Sequence, residues 1–203
     1  MIITIGRQLC SGGSEIGKKL SESLGIAYYD KELIVIASKE SGLSAKLFEK
    51  ADERTQKGIS AGLFDSRFQF MGNTAIAYGW LSNDTFFKIQ SDVIRNLAEK
   101  QSCVFIGRCA DYILRNRKDC FKIFLSASDE DRIRKIMESE NISVEKARDI
   151  MKDADKKRAA YYNYYTNKTW GAGASYDICI NTSLFGIDGT VSVIEEMIKK
   201  LPF

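Results

Sequence analysis

Ile2-Ile3-Thr4-Ile5-Gly6-Arg7-Gln8-Leu9-Cys10-Ser11-Gly12-Gly13-Ser14-Glu15-Ile16-Gly17 is the stretch on which the fold turns. A β-branched run stops at Gly6, small residues follow, and Ile16, Leu20 and Leu24 then recur every four residues until Gly25. The first part reads as a buried strand and the last as one face of a helix closed by glycine. The loop between them therefore lies at the carboxyl end of a strand and the amino end of a helix. Small residues there let amide N–H groups turn inward, and the helix start adds partial positive charge, so the loop suits a phosphate. The pattern G-x-x-x-x-G-K-[ST] is incomplete, because Gly13 stands where lysine would follow Gly12. The missing cation must come from elsewhere if a phosphoryl group is to be transferred quickly, with Arg7 as first candidate and Lys18 as second. Ser14 is placed to meet a magnesium ion, beside phosphates held at Ser11, Gly12 and Gly13.

The same alternation continues outward. Ile26 to Tyr29 is a second strand, Cys103-Val104-Phe105-Ile106 a third, Phe121-Lys122-Ile123-Phe124-Leu125 a fourth and Ile178-Cys179-Ile180 a fifth. Between them, Phe86, Phe87, Ile89, Val93, Ile94 and Leu97 form the stripe of a helix from Asn83 to Lys100, and Ser128 and Ser143 are start signals for two more. Val191, Ile194, Met197, Ile198 and Leu201 mark a closing helix. Strands alternating with helices predict a three-layer α/β/α fold around a five-stranded parallel sheet, with ligands at the carboxyl ends of the strands. Residues 41–81 show no steady period and read as helical pieces and loops. At 203 residues the chain suits one domain.

Composition removes several chemistries. With no histidine, a Ser-His-Asp triad, a His-ligated metal and a His general base are excluded. Five cysteines without a C-x-x-C pair point to free thiols. A net charge of +3, with both signs interspersed, gives no argument for nucleic acid. No run reaches the roughly 20 apolar residues of a membrane span, and the start MIITIGRQ has neither a basic leader nor an apolar signal stretch. A cytoplasmic protein, monomer or homodimer, without membrane or nucleic-acid partners, is the expectation.

Several stretches together resemble the cytidylate kinase-like family of P-loop nucleoside monophosphate kinases. They are Ile3 to Arg7 leading to Ser11-Gly12-Gly13-Ser14-Glu15-Ile16-Gly17; Tyr29-Asp30-Lys31-Glu32-Leu33; Gly107-Arg108-Cys109-Ala110-Asp111-Tyr112-Ile113-Leu114; and Phe124 to Ser128 with Arg132. Asp155-Lys156-Lys157-Arg158 before Tyr161-Tyr162, and Tyr176-Asp177-Ile178-Cys179-Ile180-Asn181-Thr182, complete the series. The resemblance covers most of the chain apart from residues 41–81. It implies a P-loop kinase fold over residues 1–203, with 41–81 an acceptor-side insert and 128–168 a helical lid. It also implies transfer of the γ-phosphoryl group of ATP, with Mg²⁺, to a small acceptor, a nucleoside monophosphate such as CMP being first choice. By the same resemblance Arg108 reaches the acceptor's phosphate, and Arg132, Asp155 and Arg158 serve catalysis as the lid closes. Asp30 and Lys31, after the second strand, face either the start of the next helix or the acceptor. Two departures stand out: Cys10 occupies a usual glycine, and Cys109 an aspartate for which Asp111, two residues on, is the substitute. The tyrosines at 161, 162, 164 and 165 read as packing of the lid helix rather than as a base-stacking surface. Two other classes stay open at this point: a nucleotide-binding sensor that has lost catalysis with the lysine, and a kinase of another hydroxylated metabolite.

Overall fold

The computed structural model describes residues 1–30, 33, 35, 36, 39 and 83–202. Five strands, β1 (Ile2–Arg7), β2 (Ala27–Tyr29), β3 (Cys103–Ile106), β4 (Cys120–Ser126) and β5 (Ile178–Asn181), form one sheet in the order β2-β3-β1-β4-β5, every pairing parallel. Among the described residues the helices are α1 (Gly13–Leu24), α2 (Asn83–Lys100), the single turn α3 (Ala110–Ile113), α4 (Asp129–Glu140), α5 (Val144–Thr166) and α6 (Thr182–Ile198).

Central β1 shows why its run has no polar face. Ile3 and Ile5 pack with Ile16 and Leu20 of α1 and Val191 and Ile194 of α6 on one side. Ile2 packs with Val93, Ile94 and Leu97 of α2, beneath Tyr161 and Tyr162 of α5, on the other. A sheet covered on both faces favours near-continuous apolar runs, here interrupted by the small buried Thr4, and the three-layer expectation holds. Helix α1 lies close to the sheet because Gly17 leaves room; a Cβ there would sit 2.4 Å from Ile106 Cδ1. The start signals act as read: Ser128 Oγ accepts from the Asp131 amide and Ser143 Oγ from the Lys146 amide. Gly25 closes α1 in the left-handed region.

Three differences have local causes. Helix α6 begins at Thr182, well before Val191, because Asn181 caps it and Gly186 (φ 66°) absorbs a break that periodicity does not register. It ends at Ile198, short of Leu201. The turn α3 is too short to carry a periodic stripe. The tyrosines of α5 pack as read: Tyr161 and Tyr162 are buried and Tyr165 stacks on Phe87 at 4.0 Å, while Tyr164 is exposed. The proposed insert at 41–81, and Lys31, lie outside the described residues. No described helix is long and apolar enough to cross a membrane.

Candidate active site

The loop from Arg7 to Gly12 is held by its oxygens. Arg158 Nη1 donates to the Arg7 carbonyl (3.1 Å), Ser11 Oγ to Gln8 O (3.0 Å), Arg132 Nε to Leu9 O (2.8 Å), Lys135 Nζ to Cys10 O (3.4 Å) and Thr182 Oγ1 to Ser11 O (3.0 Å). The amide of Ile16 takes Gly12 O at 2.9 Å. Every carbonyl in the run is thus engaged by a donor. Among the described residues, the amides of Gly12, Gly13 and Ser14 meet no protein acceptor, as helix-opening N–H groups do not. A backbone with its oxygens engaged and successive amides left over presents positive charge to an anion.

Side chains add to that field. Arg7 lies across Gly13, where a Cβ would come within 2.7 Å of Arg7 Cγ and 2.8 Å of its Cβ. Its guanidinium stands over Gly107, 3.8 Å from Asp30. Burial, then the neighbouring Arg158, pulls Arg7 down to about 10 against a partial lift from Asp30; Arg108 pulls the same way. Arg158 is lowered too, chiefly by burial, with Asp155 and Cys10 opposing. It forms no ion pair among the described residues. Arg158 and Arg108 both stand near enough to depress Arg7, which marks a positive place, and a bound phosphate would oppose that shift.

Arg108 comes to this place by an unusual turn. Gly107 (φ 69°), Arg108 (φ 62°) and Cys109 (φ 56°) are all left-handed in succession, and two of them carry side chains, at roughly 1–2 kcal/mol each. Gln90 secures the turn: its Nε2 donates to the Arg108 carbonyl (3.3 Å), and its Oε1 accepts from Arg108 Nη1 (3.5 Å). Sequence reasoning missed Gln90, although it lies four residues after Phe86 and four before Ile94, a polar side chain on an apolar stripe. Cys109, in the usual aspartate's place, is buried, and burial raises its thiol well above the ordinary range, so it packs rather than binds.

The remaining candidates divide. Ser14 Oγ donates to Asp30 Oδ2 (2.8 Å), with Tyr28 OH 3.3 Å from the same oxygen. Asp30 thereby joins the phosphate loop and Arg7. The helix start read at Asp30 falls largely outside the described residues. Arg132 and Asp155 arrive at the loop's backbone, not its open face: Arg132 is 2% exposed and ion-paired to Asp155, which accepts from the Leu9 amide (2.9 Å). Two candidates are not brought to the loop. Lys18 is on the exposed side of α1 beside Glu22 and is not brought to the loop, because its helical phase turns it to solvent. Asp111, the residue read as substitute for the missing aspartate, points into the core. It is buried, accepts from Tyr162 OH at 2.7 Å, and burial raises its carboxyl pKa against that hydrogen bond.

Comparison with known proteins bears on the family and the fold. The model of a family described as cytidylate kinase-like matches residues 2–184. A protein named cytidylate kinase from Methanothrix thermoacetophila is 28% identical over 202 residues, 99% of each chain. An uncharacterized protein from Eubacterium ventriosum superposes with a TM-score of 0.71 at 28% identity over 98% of both chains. A shikimate kinase from Bacteroides thetaiotaomicron, 13% identical with a TM-score of 0.57 over 98% of both chains, shares the fold.

Proposed function

The chain belongs to the cytidylate kinase-like family, and on that premise we propose that it transfers the γ-phosphoryl group of ATP to a nucleoside monophosphate, CMP being the first acceptor to test. Arg7 and Arg158 at a loop whose carbonyls are all engaged, with Arg108 near enough to act on Arg7, carry this reading. The loop amides at Gly12, Gly13 and Ser14 hold the donor's phosphates. Arg7 supplies the cation that a lysine at position 13 would otherwise bring, and its stem already fills that lysine's space. Arg108, anchored by Gln90 across the adjacent strand end, holds the acceptor's phosphate, and Arg158 stands beside Arg7 with its Nη1 on the Arg7 carbonyl.

The acceptor's phosphate oxygen attacks the γ-phosphorus as the bond to the ADP oxygen breaks. Such a transfer asks chiefly for positioning and dispersed positive charge, so the absence of histidine is no obstacle. The hard oxygens of Ser14 and Asp30, 2.8 Å apart, fit a magnesium ion. When bound it would neutralise charge on the donor phosphates. Turnover assays with CMP, dCMP, UMP and AMP, run beside binding of a non-hydrolysable ATP analogue, test the proposal: phosphorylated product from one acceptor supports it. A second reading is favoured by Gly13 itself: tight analogue binding without product from any acceptor would make the protein a nucleotide sensor.

A further inference from the structure

We propose that Arg132 and Asp155 are positioning residues that clamp Leu9, so that the hairpin of α4 and α5 sets the shape of the phosphate loop while neither side chain touches the transferred group. The inference rests on the kinase reading only for the ligand that senses it. Leu9 is gripped on both sides of its Cα: its N–H donates to Asp155 Oδ1 at 2.9 Å and its C=O accepts from Arg132 Nε at 2.8 Å. These groups belong to successive peptide planes, so the two bonds together fix both backbone dihedrals of Leu9. The clamp closes on itself, because Arg132 Nη2 is bound to Asp155 Oδ2, while Nη1 lies 3.5 Å from Asp129. All three guanidinium nitrogens are committed inside the protein.

Packing follows the same line. The Leu9 and Cys10 side chains join Ile133 and Ile136 of α4 and Ala147 and Met151 of α5 in a small apolar cluster, separate from those on the sheet. The next residue explains why the loop needs an outside hold. Cys10 is left-handed at φ 59°, a conformation that costs a residue with a side chain about 1–2 kcal/mol, and its carbonyl is tied by Lys135 of α4 at 3.4 Å. Without the clamp, Leu9 and Cys10 are free to relax, and the amides that follow lose their common direction. A buried ion pair is a poor source of stability, and apolar replacement of both partners is often neutral. Its use here is geometric.

That property makes the test. In Arg132→Met/Asp155→Leu the apolar pair keeps the fold, and circular dichroism should show a melting temperature near the parent's. Affinity for a non-hydrolysable ATP analogue should fall about tenfold or more, affinity for CMP should change less than about threefold, and exchange of the Leu9 amide should quicken at least about tenfold. Asp155→Asn, whose single carboxamide oxygen cannot accept from both the Leu9 amide and Arg132 Nη2, should weaken the analogue in the same direction and by less than the double variant. Unchanged analogue affinity and unchanged exchange in the double variant would overturn the clamp, and so would an equal loss of CMP binding, which would put these side chains on the acceptor. Should the double variant not fold, Arg132→Lys carries the test, because a point cation keeps Asp155 company but cannot bridge it and Leu9 together; parental exchange at Leu9 would then reject the proposal. If the parent itself binds neither nucleotide, the kinase reading fails, and the exchange rates alone decide the clamp.

Discussion

Two adjacent strands end in the same dipeptide and do different things with it. Strand β1 ends in Gly6-Arg7 and β3 is followed by Gly107-Arg108, with Ile5 opposite Ile106 and the Gly107 amide bonded to Ile5 O at 2.9 Å. After Gly6 the chain runs on extended into a loop whose carbonyls are captured one after another by side chains from α4, α5 and α6. After Ile106 it folds at once into a left-handed turn secured by one glutamine. One arginine ends across Gly13, beside loop amides, and the other after β3, tied to Gln90 of α2. A short motif thus fixes where a guanidinium starts, whereas the backbone after it decides which ligand it meets. Under the proposed function the first region serves the donor and the second the acceptor, an assignment that substitution can break.

The largest effect is expected at Arg108. Arg108→Ala should lower kcat by about a thousandfold or more while ATP-analogue affinity stays within about threefold; equal loss of analogue binding by calorimetry would erase the distinction between the regions. Arg7→Ala should do the reverse, weakening the analogue about 10- to 100-fold, in line with loss of one or two charge-assisted hydrogen bonds. Gly107→Ala probes where the regions touch. Its Cβ would fall 2.0 Å from Arg7 Nη1 at a residue with φ +69°, so the guanidinium must move aside, and left-handed alanine adds about 1–2 kcal/mol of destabilisation. Analogue affinity should drop about as far as in Arg7→Ala, and the two changes combined should cost no more than one, a non-additivity that a double-mutant cycle reads directly.

The smallest effect sharpens the comparison by leaving both arginines alone. Asp111 has its folded pKa raised above the ordinary value of 3.8, mainly by burial. For such a carboxyl the folded state holds its proton more tightly than the unfolded chain. Stability from this group is therefore fully present below 3.8 and is lost as pH rises through the folded value. Asp111→Asn can still accept from Tyr162 and carries no charge. It should melt a few degrees above the parent at neutral pH and converge with it in acid, with unchanged affinity for either nucleotide. A difference that grows in acid would contradict the sign.

What was legible in the sequence follows from how local each signal is. The five strands are near-continuous apolar runs because both sheet faces are covered, so pattern alone placed them. The loop between β1 and α1 was legible because glycines and a helix start are neighbours in sequence. The turn at Gly107 was not, since Arg108 and Cys109 adopt left-handed geometry without being glycine, held there by Gln90 eighteen residues away. The duties of Arg132 and Asp155 were equally hidden, because their partner at Leu9 is 123 and 146 residues distant. A faint signal did exist: Asp155 continues the buried spacing of Ala147 and Met151 on α5, and Arg132 that of Ile136 on α4, charged side chains at core-facing positions. Lys18 misled for the opposite reason, a cation near the loop in sequence whose helical phase turns it away.

The central claim is that Arg7 occupies the place and the office of the missing lysine, and calorimetric titration of a non-hydrolysable ATP analogue into three variants tests it. Gly13→Lys alone must push its Cβ into the Arg7 stem, 2.7 Å away, and Arg7→Ala alone removes the cation, so each should bind about tenfold or more weakly. Arg7→Ala/Gly13→Lys should recover to within a few-fold of the parent. Full affinity in both single variants, or no recovery when they are combined, would contradict the account.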